Sequence, residues 1–165
     1  MLTFTSTPLT ADVEVTGPIV LKLFASSNEI DTRFIVKLSD QHPQTEDERT
    51  RGVQPFFTAV SKGWLRASHR EKDVQRSTDI RPFYTHTNPQ PLTPGEIYEF
   101  DIEVMPVSYV FGKGHRIRIE IANGDSSVTD GVFTHPYHPT LIGTDTIHHD
   151  AAHPSRILLP VIPKE

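Results

Sequence analysis

The chain has 165 residues, 36% of them hydrophobic, which is enough to bury one sizeable core and argues against disorder. Its net charge of −5, with 16 Lys and Arg scattered and no basic run, gives no electrostatic footing for nucleic-acid binding. The absence of Cys excludes a disulfide framework and a thiolate nucleophile.

No stretch approaches the roughly 20 apolar residues that span a bilayer. Met1-Leu2-Thr3-Phe4-Thr5-Ser6 has neither a positive start nor a long apolar run, so it does not read as a signal peptide. The expectation is a soluble, cytoplasmic protein of one domain, residues 1–165, that binds neither membrane nor nucleic acid.

Along the chain, two-residue periodicity dominates. Asp12 to Thr16 is a weak strand candidate ending at the turn signal Thr16-Gly17-Pro18. Ile19, Leu21, Leu23 and Ala25 form an apolar row closed by Ser26-Ser27-Asn28, and Phe34, Val36 and Leu38 form the next. Pro43 to Arg51, polar throughout, is a short helix or a loop insertion. Phe56 to Val60 and Trp64 to Ser68 are weaker strand candidates. Glu71 to Pro94 holds four Pro and few strand signals, which predicts a long surface connection.

Beyond the turn at Thr93-Pro94-Gly95, Glu99-Phe100-Asp101-Ile102-Glu103-Val104 alternates strictly, and Tyr98 extends its apolar row. After Gly112-Lys113-Gly114, Arg116-Ile117-Arg118-Ile119-Glu120-Ile121 alternates again, up to Asn123-Gly124-Asp125. Ile157 to Val161 is a last, weaker strand. About eight short strands with turns between them predict an all-β fold, an antiparallel two-sheet β-sandwich or jelly roll with almost no helix. Tyr98, Phe100, Ile102 and Val104 then face the core beside Ile117, Ile119 and Ile121, while Glu99, Asp101 and Glu103 face solvent. If Met105 to Gly114 returns the chain antiparallel, that acidic row lies opposite Arg116 and Arg118; alternatively the two strands occupy different sheets.

Catalytic chemistry finds little support. A nucleophile elbow requires G-x-S-x-G between strand and helix, and the nearest segment, Gly124-Asp125-Ser126-Ser127-Val128, lacks the second Gly and a following helix. Gly112-Lys113-Gly114-His115 precedes a strand, so it offers no helix N-terminus to a phosphate. Six of the nine His fall in the last third: His115, His135, His138, His148, His149 and His153, near Asp145 and Asp150. Pro136, Pro139 and Pro154 stiffen those loops, and no H-E-x-x-H spacing occurs. Structural histidines are the simpler reading. No catalytic residue, cofactor or metal ligand is assigned; His135, His138, His148 and His149 become ligand candidates only if chelation destabilises the fold. Trp64, Phe56, Phe57, Phe83, Tyr84, Tyr109, Phe111, Phe133 and Tyr137 read as core or interface aromatics, with a sugar platform as the alternative.

Longer segments carry a family resemblance. Leu2-Thr3-Phe4-Thr5-Ser6-Thr7-Pro8-Leu9 and Val15-Thr16-Gly17-Pro18 are similar to the entry into the C-terminal domain of the cocaine-esterase and X-Pro dipeptidyl-peptidase group of serine hydrolases, the CocE/NonD family. Asp31 to Asp40, Gly63-Trp64-Leu65-Arg66-Ala67-Ser68-His69-Arg70, Gly114 to Ile119 and His153 to Val161 continue it in family order. Arg33 departs from it, standing where an acidic residue is common.

The resemblance implies a galactose-binding-like jelly roll that packs on an α/β-hydrolase domain carrying a Ser-Asp-His triad, none of which maps onto this chain. It implies no catalysis by this chain alone and a parent enzyme that cleaves esters or amides, including dipeptides ending in Pro. The alternative is a free-standing carbohydrate- or protein-binding module. The expected partner surface is an exposed aromatic patch of Phe83, Tyr84, Phe133 and Tyr137, which would also favour self-association when uncovered; otherwise these aromatics plug the ends of the sandwich.

Overall fold

A computed structural model describes residues 1–124 and 142–163. Nine strands form within them: β1 (Leu2–Thr5), β2 (Val13–Ser27), β3 (Arg33–Gln41), β4 (Phe57–Arg66), β5 (Tyr98–Phe111), β6 (Arg116–Ala122), β7 (Asp145–His148), β8 (Arg156–Leu158) and β9 (Val161–Ile162). The single α-helix among the described residues, α1 (Glu46–Thr50), occupies the polar insertion. Its N-cap is Thr45, whose hydroxyl accepts from the Glu48 N–H while the Glu48 carboxylate accepts from the Thr45 N–H at 2.8 Å. The Thr45 N–H first, then the Thr45 hydroxyl donating to the same carboxylate, hold Glu48 below the usual carboxylate range.

The strands pair antiparallel in the order β1-β6-β3-β4-β5-β2-β7, with β8 and β9 also on β2. Between β4 and β5 the ladder narrows to one pair, Gly63 opposite Val104. The sheet therefore folds over at that seam. Its halves β1-β6-β3-β4 and β5-β2-β7 enclose one core, as a two-layer jelly-roll sandwich. Phe34 of β3 meets Phe100 of β5 across the layers with ring centroids 5.1 Å apart. Around them lie Leu21 and Leu23 of β2, Val36 and Leu38 of β3, Ile102 and Val104 of β5, and Ile121 of β6, all buried.

The period-2 rows thus form as expected, with three corrections. Tyr98 is half-buried: its hydroxyl accepts from the Thr93 N–H and donates to Glu96, and the Arg70 guanidinium lies 4.6 Å from its ring centre. Ile117 and Ile119, nearer the β1 edge, are only partly buried against the core. Asp101 points away from the core yet is buried, because Glu71 to Pro94 passes over it. Lys72 of that connection reaches Oδ2 at 2.6 Å and Lys22, its partner across the β2–β5 ladder, reaches Oδ1 at 3.2 Å.

The acidic row of β5 does not face Arg116 and Arg118. Strands β3 and β4 stand between β5 and β6, so the two alternating segments belong to different layers. Arg118 instead donates to Glu120 at 2.8 Å and lies over the ring of Phe57. Met105 to Phe111 is also no connection. It continues β5, pairing Val107 to Phe111 with Gly17 to Val13.

Thr16-Gly17-Pro18 likewise does not end a strand, but is a bulge inside the fifteen-residue β2, with the register shifting between Gly17 and Ile19. Gly17 has φ +134, and a Cβ there would lie 3.2 Å from the Pro160 ring. Pro160, lacking an N–H, splits the terminal strand into β8 and β9, while its carbonyl accepts from Thr16 N–H at 3.0 Å.

Gly63 is the tightest point of the seam: a Cβ there would sit 2.1 Å from the Glu103 carbonyl oxygen and 2.8 Å from Val104 Cα. Backbone cannot yield as a flexible side chain does. Gly63→Ala is expected to lower stability by about 1–3 kcal/mol or more, as overpacking does. A urea-denaturation midpoint unchanged from wild type would contradict this approach of β4 and β5.

Candidate functional site

Among the described residues, several places bring polar or aromatic side chains together, and three of them bear on function. The first is a groove of about 610 Å³ where the long connection meets the outer surface of β4 and β5, lined by Trp64, Tyr84, His69, His86, Glu103 and Met105. Trp64 is 52% exposed and Met105 58%. His86 is the only non-glycine residue with positive φ among those described, at 54°, and its Nδ1 lies 3.3 Å from that of His69.

Tyr84 forms the floor rather than the rim. Its ring packs against the core and its hydroxyl donates to the Asp101 carbonyl. Burial first, then the charges of Asp101 and Glu103, push its pKa well above the usual phenol value. Tyr84 is thus an anchor for the connection and not a docking aromatic. Phe83 is 39% exposed but carries the Arg76 guanidinium 3.3 Å from its ring centre. Phe133 and Tyr137 lie outside the described residues, and the expected four-aromatic patch receives no support.

The second place is at the end of β3. The Asp40 carboxylate, 3% exposed, meets His115 Nδ1 at 2.9 and 3.0 Å and accepts from the Tyr109 hydroxyl at 2.9 Å. Burial first, then this bond and the Asp40 charge, raise the Tyr109 pKa. The His42 ring lies 4.5 Å from that of His115, and His42 Nε2 is 3.0 Å from the Thr58 hydroxyl.

The third place is beside β7. Ser26 Oγ lies 3.0 Å from His148 Nε2, and Ser155 accepts from the Phe24 N–H while donating to the His148 carbonyl. Asp150 bonds His153 Nδ1 at 3.2 Å, rather than His148, and these bonds hold Asp150 below the usual carboxylate range. His149 sits edge-on to Phe4, with ring centroids 6.4 Å apart. His135, His138 and the segment Asp125-Ser126-Ser127-Val128 lie outside the described residues.

A serine beside an imidazole is only part of a hydrolytic site. Ser26 stands in a regular β ladder opposite Thr146, not at a strained strand-to-helix elbow. No described segment supplies that elbow. Sequence reading singled out the histidines of the last third; it did not anticipate His42, whose partnership with His115 arises only from pairing β3 with β6.

An all-β jelly roll whose polar clusters lie on a sandwich is the class of protein defined here. The family described as the X-Pro dipeptidyl-peptidase C-terminal non-catalytic domain matches residues 1–158, and the chain belongs to that family. Over 98% of its length it is 37% identical to a Mycobacterium bovis protein that bears the name of a serine esterase, and 32% identical to the cocaine esterase of a Rhodococcus species. It spans only about a quarter of those relatives' length: 24% and 25%. Its fold matches 30% of a CocE/NonD family hydrolase from Staphylococcus aureus with a TM-score of 0.80 at 23% identity, and 25% of an α-amino acid ester hydrolase with a TM-score of 0.69 at 23% identity. The chain is thus a non-catalytic C-terminal domain of the matched family.

Tyr84→Phe isolates one anchor of the connection. Losing its hydrogen bond is expected to lower stability by about 0.5–1.5 kcal/mol at neutral pH. The raised pKa adds a sign: stability from the protonated phenol is fully present below its ordinary value of 10.0 and falls as pH rises towards the folded value. Denaturation midpoints from pH 8 to about 11 should therefore show the wild-type advantage shrinking above about pH 10. A constant gap would contradict the buried setting of Tyr84.

Proposed function

We propose that this chain acts as the accessory domain of a serine hydrolase. In this reading it packs on an α/β-hydrolase domain that carries the nucleophile, and helps shape the substrate site there. The observation that carries the reading is the coverage: 98% of this chain aligns with only 24–25% of relatives named as esterases. Hydrolysis of an ester or amide requires a nucleophile, a base and oxyanion donors assembled together. The described residues supply Ser and His without an elbow, which supports a role in assembly rather than chemistry. The parent activity inferred is cleavage of esters or of X-Pro peptide bonds.

A second reading, a free-standing binding module for carbohydrate, is favoured by the groove beside the exposed Trp64. Aromatic faces in concave sites are the usual apolar component of such recognition.

Two measurements separate the readings. The purified chain is expected to turn over neither aryl esters nor X-Pro anilides; turnover abolished by a serine-directed inhibitor would overturn the accessory-domain reading. Trp64 is the only tryptophan, so its fluorescence reports the groove directly. A saturable change on titration with galactose or an oligosaccharide would favour the binding module, and an unchanged spectrum the accessory role.

A further inference from the structure

We propose that Asp40, His42 and His115 form a binding site for a divalent transition-metal ion of the zinc class. One ligand atom from each residue lies within 4.8 Å of those from the other two. The ligands come from distant parts of the sequence: Asp40 lies in β3, His42 one residue past its end, and His115 one residue before β6. The β3–β6 ladder, with Asp40 opposite Ile117 and Gln41 opposite Arg116, brings them into one place.

The donor set selects the ion. Two imidazoles and one carboxylate suit zinc, cobalt or nickel, whereas calcium and magnesium take oxygen ligands and copper(I) prefers sulfur. Three protein ligands leave a fourth position for water, as in open zinc sites. The carboxylate is pre-oriented: Asp40 is 3% exposed on its side chain, and the Tyr109 hydroxyl donates to Oδ2 at 2.9 Å. Such a bond aims a ligand at the metal and commonly changes affinity by about 10–100-fold when removed.

The present contacts are compatible with exchange. His115 Nδ1 and the nearer Asp40 oxygen are 2.9 Å apart, joined by a hydrogen bond. Zinc–nitrogen and zinc–oxygen bonds of about 2.0–2.2 Å place adjacent ligand atoms of a tetrahedral shell only slightly farther apart. Thr58 would give up its contact with His42 if Nε2 is the nitrogen used. Gly112 leaves the His115 ring its room, since a Cβ there would stand 3.1 Å from Nε2.

The test is titration of the metal-stripped protein with Co²⁺, read by ligand-field absorption, followed by displacement with Zn²⁺. The expected result is one saturable equivalent that Zn²⁺ bleaches, with a rise in Tm on adding Zn²⁺. His42→Ala should abolish both signals, while Tyr109→Phe should lower Zn²⁺ affinity by about 10–100-fold. His115→Gln and Asp40→Asn remove a shared support of β3 and β6 and risk the fold, so His42→Ala, at a half-buried ring, is the decisive variant. His153→Ala serves as a control and should leave binding intact. Absence of Co²⁺ absorption, absorption unchanged in His42→Ala, or loss of it in His153→Ala alone would overturn the proposal and leave Asp40–His115 as a hydrogen-bonded strap.

Discussion

The architecture depends on one close approach of two backbones, at Gly63 and Val104. A single sheet buries one of its faces against itself only by folding over, and here it folds where β4 and β5 share a single ladder pair. Only a residue without Cβ permits that approach, because any side chain would enter the Glu103 carbonyl. The consequence is a continuous core between the halves, with the tilted Phe34–Phe100 contact near its centre. Edge-to-face and tilted aromatic pairs contribute about 0.5–1.5 kcal/mol beyond their buried area. The seam also decides which strands never meet: β5 and β6, so alike in sequence, end in different layers.

The connection from Glu71 to Pro94 is held by polar anchors as well as by apolar contacts, with Leu92 buried in the core and the Tyr84 ring packed against it. Lys72 and Tyr84 converge on the side chain and carbonyl of Asp101, while the Arg70 guanidinium donates to the Gln90 and Ala67 carbonyls. Buried charges are tolerated only when paired, and Asp101 meets that condition with two lysines. Of these anchors, Tyr84 also lines the groove beside Trp64. Aromatics within this connection thus serve the domain's own integrity first, which removes Tyr84 from any surface offered to a partner.

The polar clusters tie the sandwich together. Asp40, His115 and Tyr109 tie the end of β3 to β5 and to the start of β6, while Ser26, Ser155 and His148 tie β2 to β7 and to the segment leading into β8. Each couples strands from distant parts of the chain. The family to which the chain belongs is defined as non-catalytic, and the setting of Ser26 within a ladder agrees with that.

Alternation of apolar and polar residues determined the strands by itself, because side chains on a strand point to opposite faces whatever the strand's neighbours are. Ile19 to Ala25, Phe34 to Leu38 and Phe100 to Val104 were legible for that reason, and with them the all-β class. The ordered segments from Leu2 to Val161 made the family legible as well, since a resemblance spread along the whole chain survives ignorance of its pairing. Tertiary structure alone decided that Gly17-Pro18 is a bulge rather than a turn, since the same residues serve either role until Pro160 packs beside them. It alone buried Asp101, because exposure depends on which distant connection crosses overhead. It alone assembled Asp40, His42 and His115, since strand order is set by how the sheet folds over its core, and local periodicity carries no record of that choice.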